Sequence, residues 1–261
     1  MQRIFFILRY LRYSWLAKTK YHIHSPFVYD LLTNIIEDPT PFYIYDKIES
    51  VRSQMLLSQE EINVTDFGTG GKKDQSRKLN LKYIASHYVK PAKYAQFLFR
   101  LINRFKPSSL VELGTSLGIT AMYQASPNSN STLITLEGCA ETAAIAKRNF
   151  EKARVKNIQV FIGEFDKTLP QAIFKLQKLD YVFFDGNHRE KATLKYFNQC
   201  LQAAHENSFF IIDDIHWSSG MQHAWKEIKK NSQVTVTIDL FYLGIVFFNK
   251  DQAKQDFVIR F

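Results

Sequence analysis

The chain has 261 residues, 46% of them hydrophobic and 23% charged, which is enough apolar material for one sizeable α/β core with a smaller appended region. Its formal net charge of +9 is compatible with a phosphate-rich partner or an anionic membrane surface, although the lysines and arginines are spread along the chain rather than gathered in blocks. Two cysteines, Cys139 and Cys200, stand outside any CxxC pair, so neither a zinc motif nor a disulfide framework is supported and a reducing compartment is indicated. No window approaches the ~20 uninterrupted apolar residues of a membrane span. The apolar run at 4–8 is too short for a signal-peptide core, and a cytoplasmic protein is expected.

The opening segment, MQRIFFILRYLRYSWLAKTKY, places Ile4, Leu8, Leu11 and Trp15 at helical spacing, with Arg9, Arg12 and Lys20 on other faces. Two readings stay open for residues 1–20: a helix packed on its own domain, or a basic aromatic helix lying on a membrane surface. Ser25 and Pro26 read as N-cap and first turn of a second helix, closed by Pro39 and Pro41. Residues 42–60 read as helical again. Residues 74–105 should hold two further helices broken near Pro91. Residues 1–105 are therefore expected to form a helical region covering the substrate site.

Between these helices lies DFGTGG at 66–71, a glycine-rich run that imitates a nucleotide loop. The preceding LSQEEIN is too polar for a buried first strand. The run is read as a flexible loop near the mouth of the site, or as a structural turn.

From Leu110 onward the pattern changes. SLVELG, TLITLEG, IQVFIGE, LDYVFFDG and SFFIIDD are short apolar runs, each followed by a helical segment. VTVTIDLF and GIVFFN then read as an antiparallel pair. Repeated strand–helix units imply parallel strands with right-handed crossovers, and strands covered on both faces lose their polar alternation. The expected fold class is α/β, with residues 106–261 forming a Rossmann-like, seven-stranded, mostly parallel sheet with an antiparallel C-terminal strand pair, and the helical region preceding it.

The motif VELGTSLGITA supplies the first chemistry. Glu112 ends a strand, Gly114 and Gly118 flank a tight turn through Ser116, and a helix begins at once. Glycines let the backbone pass close to a ligand, and a helix N-terminus favours an anionic group. The spacing ExGxxxG opens a wider loop than the GxGxxG of pyrophosphate binders, suited to the amino-acid end of S-adenosylmethionine (SAM). Glu137 ends the second strand, where such a fold places the carboxylate that takes two ribose hydroxyls. Gly163 and Asp166 follow the third strand, at the adenine end of the crevice; Asp166 also suits a helix cap.

Acids then cluster at strand ends. VFFDGNH offers Asp185 and His188, and FIIDDIHW offers Asp213, Asp214 and His216. Open α/β sheets bind ligands at the carboxyl ends of their strands. Carboxylates brought close either share a proton or hold a cation, and oxygen donors suit Mg²⁺ or another divalent ion. Asp213 and Asp214 could alternatively cap the following turn. His22 and His24 lie outside the sheet.

With these motifs in view, YVKPAKYAQFLFRLINRFKPSSLVELGTSLG resembles the segment through the cofactor loop of catechol O-methyltransferase-like enzymes, which are class I methyltransferases. The resemblance covers roughly residues 89–220. It implies SAM as cofactor, held by Glu112, Gly114, Ser116, Gly118, Glu137, Gly163, Asp166 and Asp185, and a divalent cation held by Asp185, Asp213 and Asp214. Asp214 departs from the Asn of the catechol enzymes; similar sugar O-methyltransferases carry Asp-Asp there. His188 stands where those enzymes carry a basic lysine. With an ordinary pKa near ~6.5, a histidine can accept a hydroxyl proton at neutral pH, so His188, with Asp185, is the expected catalytic pair and His216 a second candidate base or outer ligand. The expected activity is divalent-metal-assisted O-methylation of a small hydroxylated acceptor. Methylation of RNA is the rival that the net charge suggests, though no RNA-binding module accompanies the sheet. A non-catalytic SAM-binding or membrane-peripheral protein is the third reading. A homodimer is common among similar enzymes.

Overall fold

The computed structural model describes residues 2–65 and 76–261, with side chains from residue 4 onward; the DFGTGG run lies outside the described residues. The chain divides into two compact units. One is continuous, 39–176, and the other joins 1–38 to 177–261.

In the continuous unit, α1 having preceded it at Gln2–Leu16 and α2 at Pro26–Leu31, the first element is α3 (Tyr43–Leu57). An antiparallel hairpin follows, β1 (Glu61–Thr65) with β2 (Ser76–Asn80). Next come α4 (Leu81–His87), capped by the Asn80 side chain, and α5 (Ala92–Phe105). Helices were expected here, and the hairpin was not: its residues are mostly polar and exposed, with only Ile62 buried. Paired edges of that kind carry little apolar signal in a sequence. The Rossmann-like part then runs β3 (Ser109–Leu113), α6 (Ile119–Ala125), β4 (Thr132–Glu137), α7 (Ala140–Ala153), β5 (Ile158–Ile162) and α8 (Phe165–Leu176). Strands β3, β4 and β5 pair in parallel in that order. Every residue of β3 and of α6 is buried, which explains why both read as near-continuous apolar runs.

The discontinuous unit adds to α1 and α2 the strand β6 (Leu179–Phe184), α9 (Glu190–Leu201), β7 (Ala204–Asp213), α10 (Ser219–Lys230), β8 (Val236–Asp239), β9 (Leu243–Phe247) and β10 (Gln255–Val258). Ser25 caps α2 as expected, through a bond from the Val28 N–H, and a π-helical turn at Leu32–Ile36 continues it. Strand β6 pairs in parallel with β7, β7 antiparallel with β9, and β9 antiparallel with β8, which is the expected C-terminal antiparallel pair. Strand β10 then pairs in parallel with β8, giving the two units eight such strands besides the hairpin, where seven were expected. Its half-exposed QDFV carries no periodicity long enough to announce a strand.

The two segments of this unit are tied where the chain returns. The Lys18 amide donates to Val258, the Arg260 amide donates to Lys18, and the Tyr13 hydroxyl donates to the Ile259 carbonyl. Further in, Gly244 of β9 lies under Trp225 of α10. A Cβ there would come within 2.8 Å of the indole ring and 3.0 Å of Ile215. Close-packed interiors do not absorb an added methyl of this kind. Gly244→Ala is expected to destabilise the protein by about 1–3 kcal/mol, measured by urea denaturation followed by tryptophan fluorescence. A variant as stable as the parent would show that the indole has room to move.

Candidate active site

Each unit presents one set of the expected residues, and each set stands at the C-terminal ends of parallel strands. In the continuous unit the loop after β3 alternates left-handed residues: Gly114 at φ 105°, Ser116 at φ 47° and Gly118 at φ 82°. Only glycine adopts such backbone without strain; Ser116 is held there by its surroundings. The Gly114 and Thr115 amides donate to the Leu136 carbonyl at 2.9 and 3.2 Å. The Ser116 amide donates to Glu137 Oε2 at 2.9 Å, and the Cys139 amide donates to Glu137 Oε1 at 2.9 Å. One carboxylate therefore joins the loops after β3 and β4.

Gly118 answers to packing as well as to the turn. A Cβ there would lie 2.5 Å from a ring carbon of Phe150 and 3.1 Å from Ala146 Cβ, so α7 crosses directly over it. Gly163 has φ 142°, and its amide donates to the Glu137 carbonyl at 2.8 Å. Asp166 is exposed in the first turn of α8, where a carboxylate also complements the helix dipole.

Glu112 is wholly buried. The Thr135 hydroxyl donates to its Oε2 at 2.6 Å, Gln124 Nε2 donates to its Oε1, and Thr115 and Thr135 share a hydrogen bond of 2.7 Å. Its carboxyl thus faces β4 and α6 and is linked through Thr135 to Thr115 in the loop. Thr115, Gln124 and Thr135 are residues that the motif reading passed over, because nothing in their spacing separates a buried polar network from ordinary helix and strand positions.

In the discontinuous unit, β6 delivers Asp185 and β7 delivers Asp213, which is only 3% exposed. One donor atom each from Asp185, His188 and Asp213 lies within 4.8 Å of the others. The expected metal set was Asp185, Asp213 and Asp214; the group of potential ligands found among the described residues has His188 in the third place. Two left-handed residues accompany the difference. Asn187 has φ 56° just before His188, and Asp214 has φ 54° just after Asp213. The Asp214 amide donates to the Tyr242 carbonyl at 2.7 Å, and its carbonyl accepts from the Trp217 amide at 2.9 Å, so its backbone belongs to the turn before α10. A mixed nitrogen and oxygen donor set of this size suits a divalent cation.

His216 is otherwise engaged. Its Nε2 is 2.7 Å from Asp239 Oδ2, its Nδ1 is 3.2 Å from Gln222 Nε2, and its ring stacks on Phe241 at 5.1 Å. Both nitrogens have partners in the fold, which makes it a structural histidine beside the site. His22 bonds to Thr19 within its own turn.

Residues 111–215 match the family model described as a methyltransferase domain. A catechol O-methyltransferase of Niastella koreensis is 26% identical over 123 residues, which cover 46% of this chain and 55% of that protein; the chain thus spans about half the length of the curated relative it matches. Among solved structures, an O-methyltransferase from Bacillus cereus in complex with SAH aligns with a TM-score of 0.55 at 17% identity, covering 85% of this chain and 95% of its own. The SAH-bound Podospora anserina methyltransferase PaMTH1 aligns with a TM-score of 0.58 at 13% identity, covering 87% and 97%. The fold is that of the class I methyltransferases.

Burial raises the Glu112 carboxyl from 4.5 to about 7, opposed in part by the hydrogen bonds from Thr135, Thr120 and Gln124. The unfolded chain releases this proton first as pH rises, so between 4.5 and about 7 the folded state holds more protons and loses stability. By linkage the loss is about 3 kcal/mol, complete above the folded value. Glu112→Gln is expected to remove that part of the pH dependence, and so to gain on the parent as pH rises from acid to alkaline. Thermal melts of both proteins across that range check it, and parallel curves would refute it.

Proposed function

We propose that this chain, which carries a class I SAM-dependent methyltransferase domain, moves a methyl group from SAM to a hydroxyl oxygen of a small acceptor with the help of a divalent cation. The observation that carries the reading is the three-donor cluster of Asp185, His188 and Asp213 at strand C-termini, the end at which open α/β sheets bind ligands; in the other unit a glycine turn pinned by Glu137 stands at the same end of its strands. SAM supplies an electrophilic methyl on a sulfonium, and the cation supplies positive charge that lowers the pKa of a bound hydroxyl.

The chain's own residues supply the rest. Glu137, whose carboxylate already ties the Ser116 and Cys139 amides, would take the ribose hydroxyls of SAM. Gly114, Ser116 and Gly118 shape the turn around the amino-acid end, and Gly163 and Asp166 border the adenine. Glu112 acts as a positioning residue through Thr115 and Thr135. Asp185 would serve both cofactor and cation, the latter together with Asp213; Asp214 adds negative charge at the same turn. His188 takes the acceptor's proton as the methyl group passes to oxygen and SAH departs as a neutral thioether. Most of the acceleration comes from holding sulfur, carbon and oxygen in line.

A histidine lone pair serves either a cation or a proton. If His188 is the base, His188→Ala is expected to lower kcat by about 10²–10⁴-fold while leaving Mn²⁺ affinity nearly unchanged, as read by titration with Mn²⁺ alone. Loss of Mn²⁺ affinity in this variant would make His188 a ligand instead. Asp213→Ala is expected to lose Mn²⁺ binding and turnover and to keep SAM affinity.

Glu137→Ala is expected to weaken SAM binding by about 10–100-fold, the worth of charge-assisted hydrogen bonds to two hydroxyls. Calorimetry gives the affinity, and transfer of labelled methyl from SAM to o-diphenol and sugar acceptors, with Mg²⁺ or with EDTA, gives the reaction. No heat of SAM binding to the parent protein would overturn the proposal.

A further inference from the structure

Helix α1 has two working faces, and only one of them is used by the fold. Phe6, Arg9, Tyr10 and Tyr13 form the inner face. The Phe6, Tyr10 and Tyr13 rings surround Phe241 at centroid distances of 5.0–5.2 Å, and Arg9 Nη1 donates to the carbonyls of His216 and Trp217, each at 3.1 Å. Turned about 180° away on a helix of 3.6 residues per turn, Ile4, Ile7, Leu8, Leu11 and Trp15 form an outer stripe. All five are exposed, Trp15 at 84%. Contiguous apolar surface of this kind marks an interaction site.

The charge around the stripe identifies what covers it. Residues 1–29 contain five lysines and arginines and no aspartate or glutamate. Arg12 and Lys18 are exposed, and the backbone bond from the Arg260 amide to Lys18 brings a third exposed cation to the end of the helix. Tyr21, 82% exposed, stands at the same end. Among the described residues no helix is long and apolar enough to cross a membrane. An apolar stripe bordered by cations and tipped by Trp and Tyr is what an anionic lipid surface holds in its interfacial plane. A second copy of this chain would have to bring the same basic helix against itself, with no acidic side chain from residues 1–29 to answer it.

We infer that the outer face of α1 docks this protein on an anionic membrane surface, lying flat, while its inner face stays seated on the Phe241 cluster. The inference goes beyond the proposed methyl transfer and does not depend on it. Binding is expected to phosphatidylcholine vesicles that contain phosphatidylglycerol and not to pure phosphatidylcholine, and to weaken as salt rises.

The test uses the full chain and vesicle co-sedimentation, with brominated phosphatidylcholine in the mixed vesicles to quench Trp15. The variants are Leu8→Glu with Leu11→Glu, which adds charge to the stripe, and Arg12→Glu with Lys18→Glu, which reverses the flanks. Both pairs lie on exposed positions, and an unchanged melting temperature verifies the fold. Each pair is expected to lower partitioning by about tenfold or more. Three results would overturn the inference: equal binding to both vesicle types, double variants that bind like the parent, or a dimer in sedimentation velocity that Leu8→Glu with Leu11→Glu splits while vesicles bind nothing. The last would give the stripe to a second copy.

Discussion

Glu137 accepts backbone N–H bonds from Ser116 after β3 and from Cys139 after β4, and in doing so it sets the geometry on which the nucleotide side of the molecule rests. Backbone donors at the ends of strands have no ladder partners. A carboxylate satisfies two of them at once, with charge-assisted bonds stronger than neutral ones. Ser116 is thereby held in a left-handed conformation that a serine would not choose alone. Beneath it, Glu112, Thr115, Thr135 and Gln124 form a second polar layer inside the core. Such a network is worth its burial only when its members find partners; here the Gln124 Oε1 stays buried without one among the described residues.

The Asp185–His188–Asp213 cluster follows a parallel logic with different means. Here no glycine supplies the unusual backbone: Asn187 and Asp214 take φ values of 56° and 54°, as Asn and Asp do more readily than most residues. Each reverses the chain just beyond a strand end, so that the neighbouring side chain, His188 in one case and Asp213 in the other, belongs to the cluster. Phe241 at φ 69° is the costlier exception, since a bulky side chain is seldom found there. Asp239 Oδ1 accepts its amide at 2.9 Å, and the rings of α1 and His216 enclose it.

The parallel strands were legible because β3, β4, β6 and β7 are buried on both faces over most of their length, which writes itself into sequence as apolar runs of strand length. The β1–β2 hairpin and β10 were not, because their residues meet solvent and owe their conformation to pairing. At the site, the strand-end positions of Glu137, Asp185 and Asp213 could be read from where the runs stop. That His188 comes within reach of Asp185 and Asp213 could not, since it depends on local backbone that residue identity permits without requiring. Glu112 shows a different gap: its place in the motif was plain, but its bonds to Thr135 and Gln124 depend on what β4 and α6 put opposite it.

The discontinuous unit imposes an order of events on synthesis. Tyr13 and Ile259, 246 positions apart, meet in one unit, while 39–176 forms a compact body of its own. Residues 1–38 are made long before the strands that receive them. Contacts so distant along the chain are slow to form, and α1 must wait with both of its apolar sides in water.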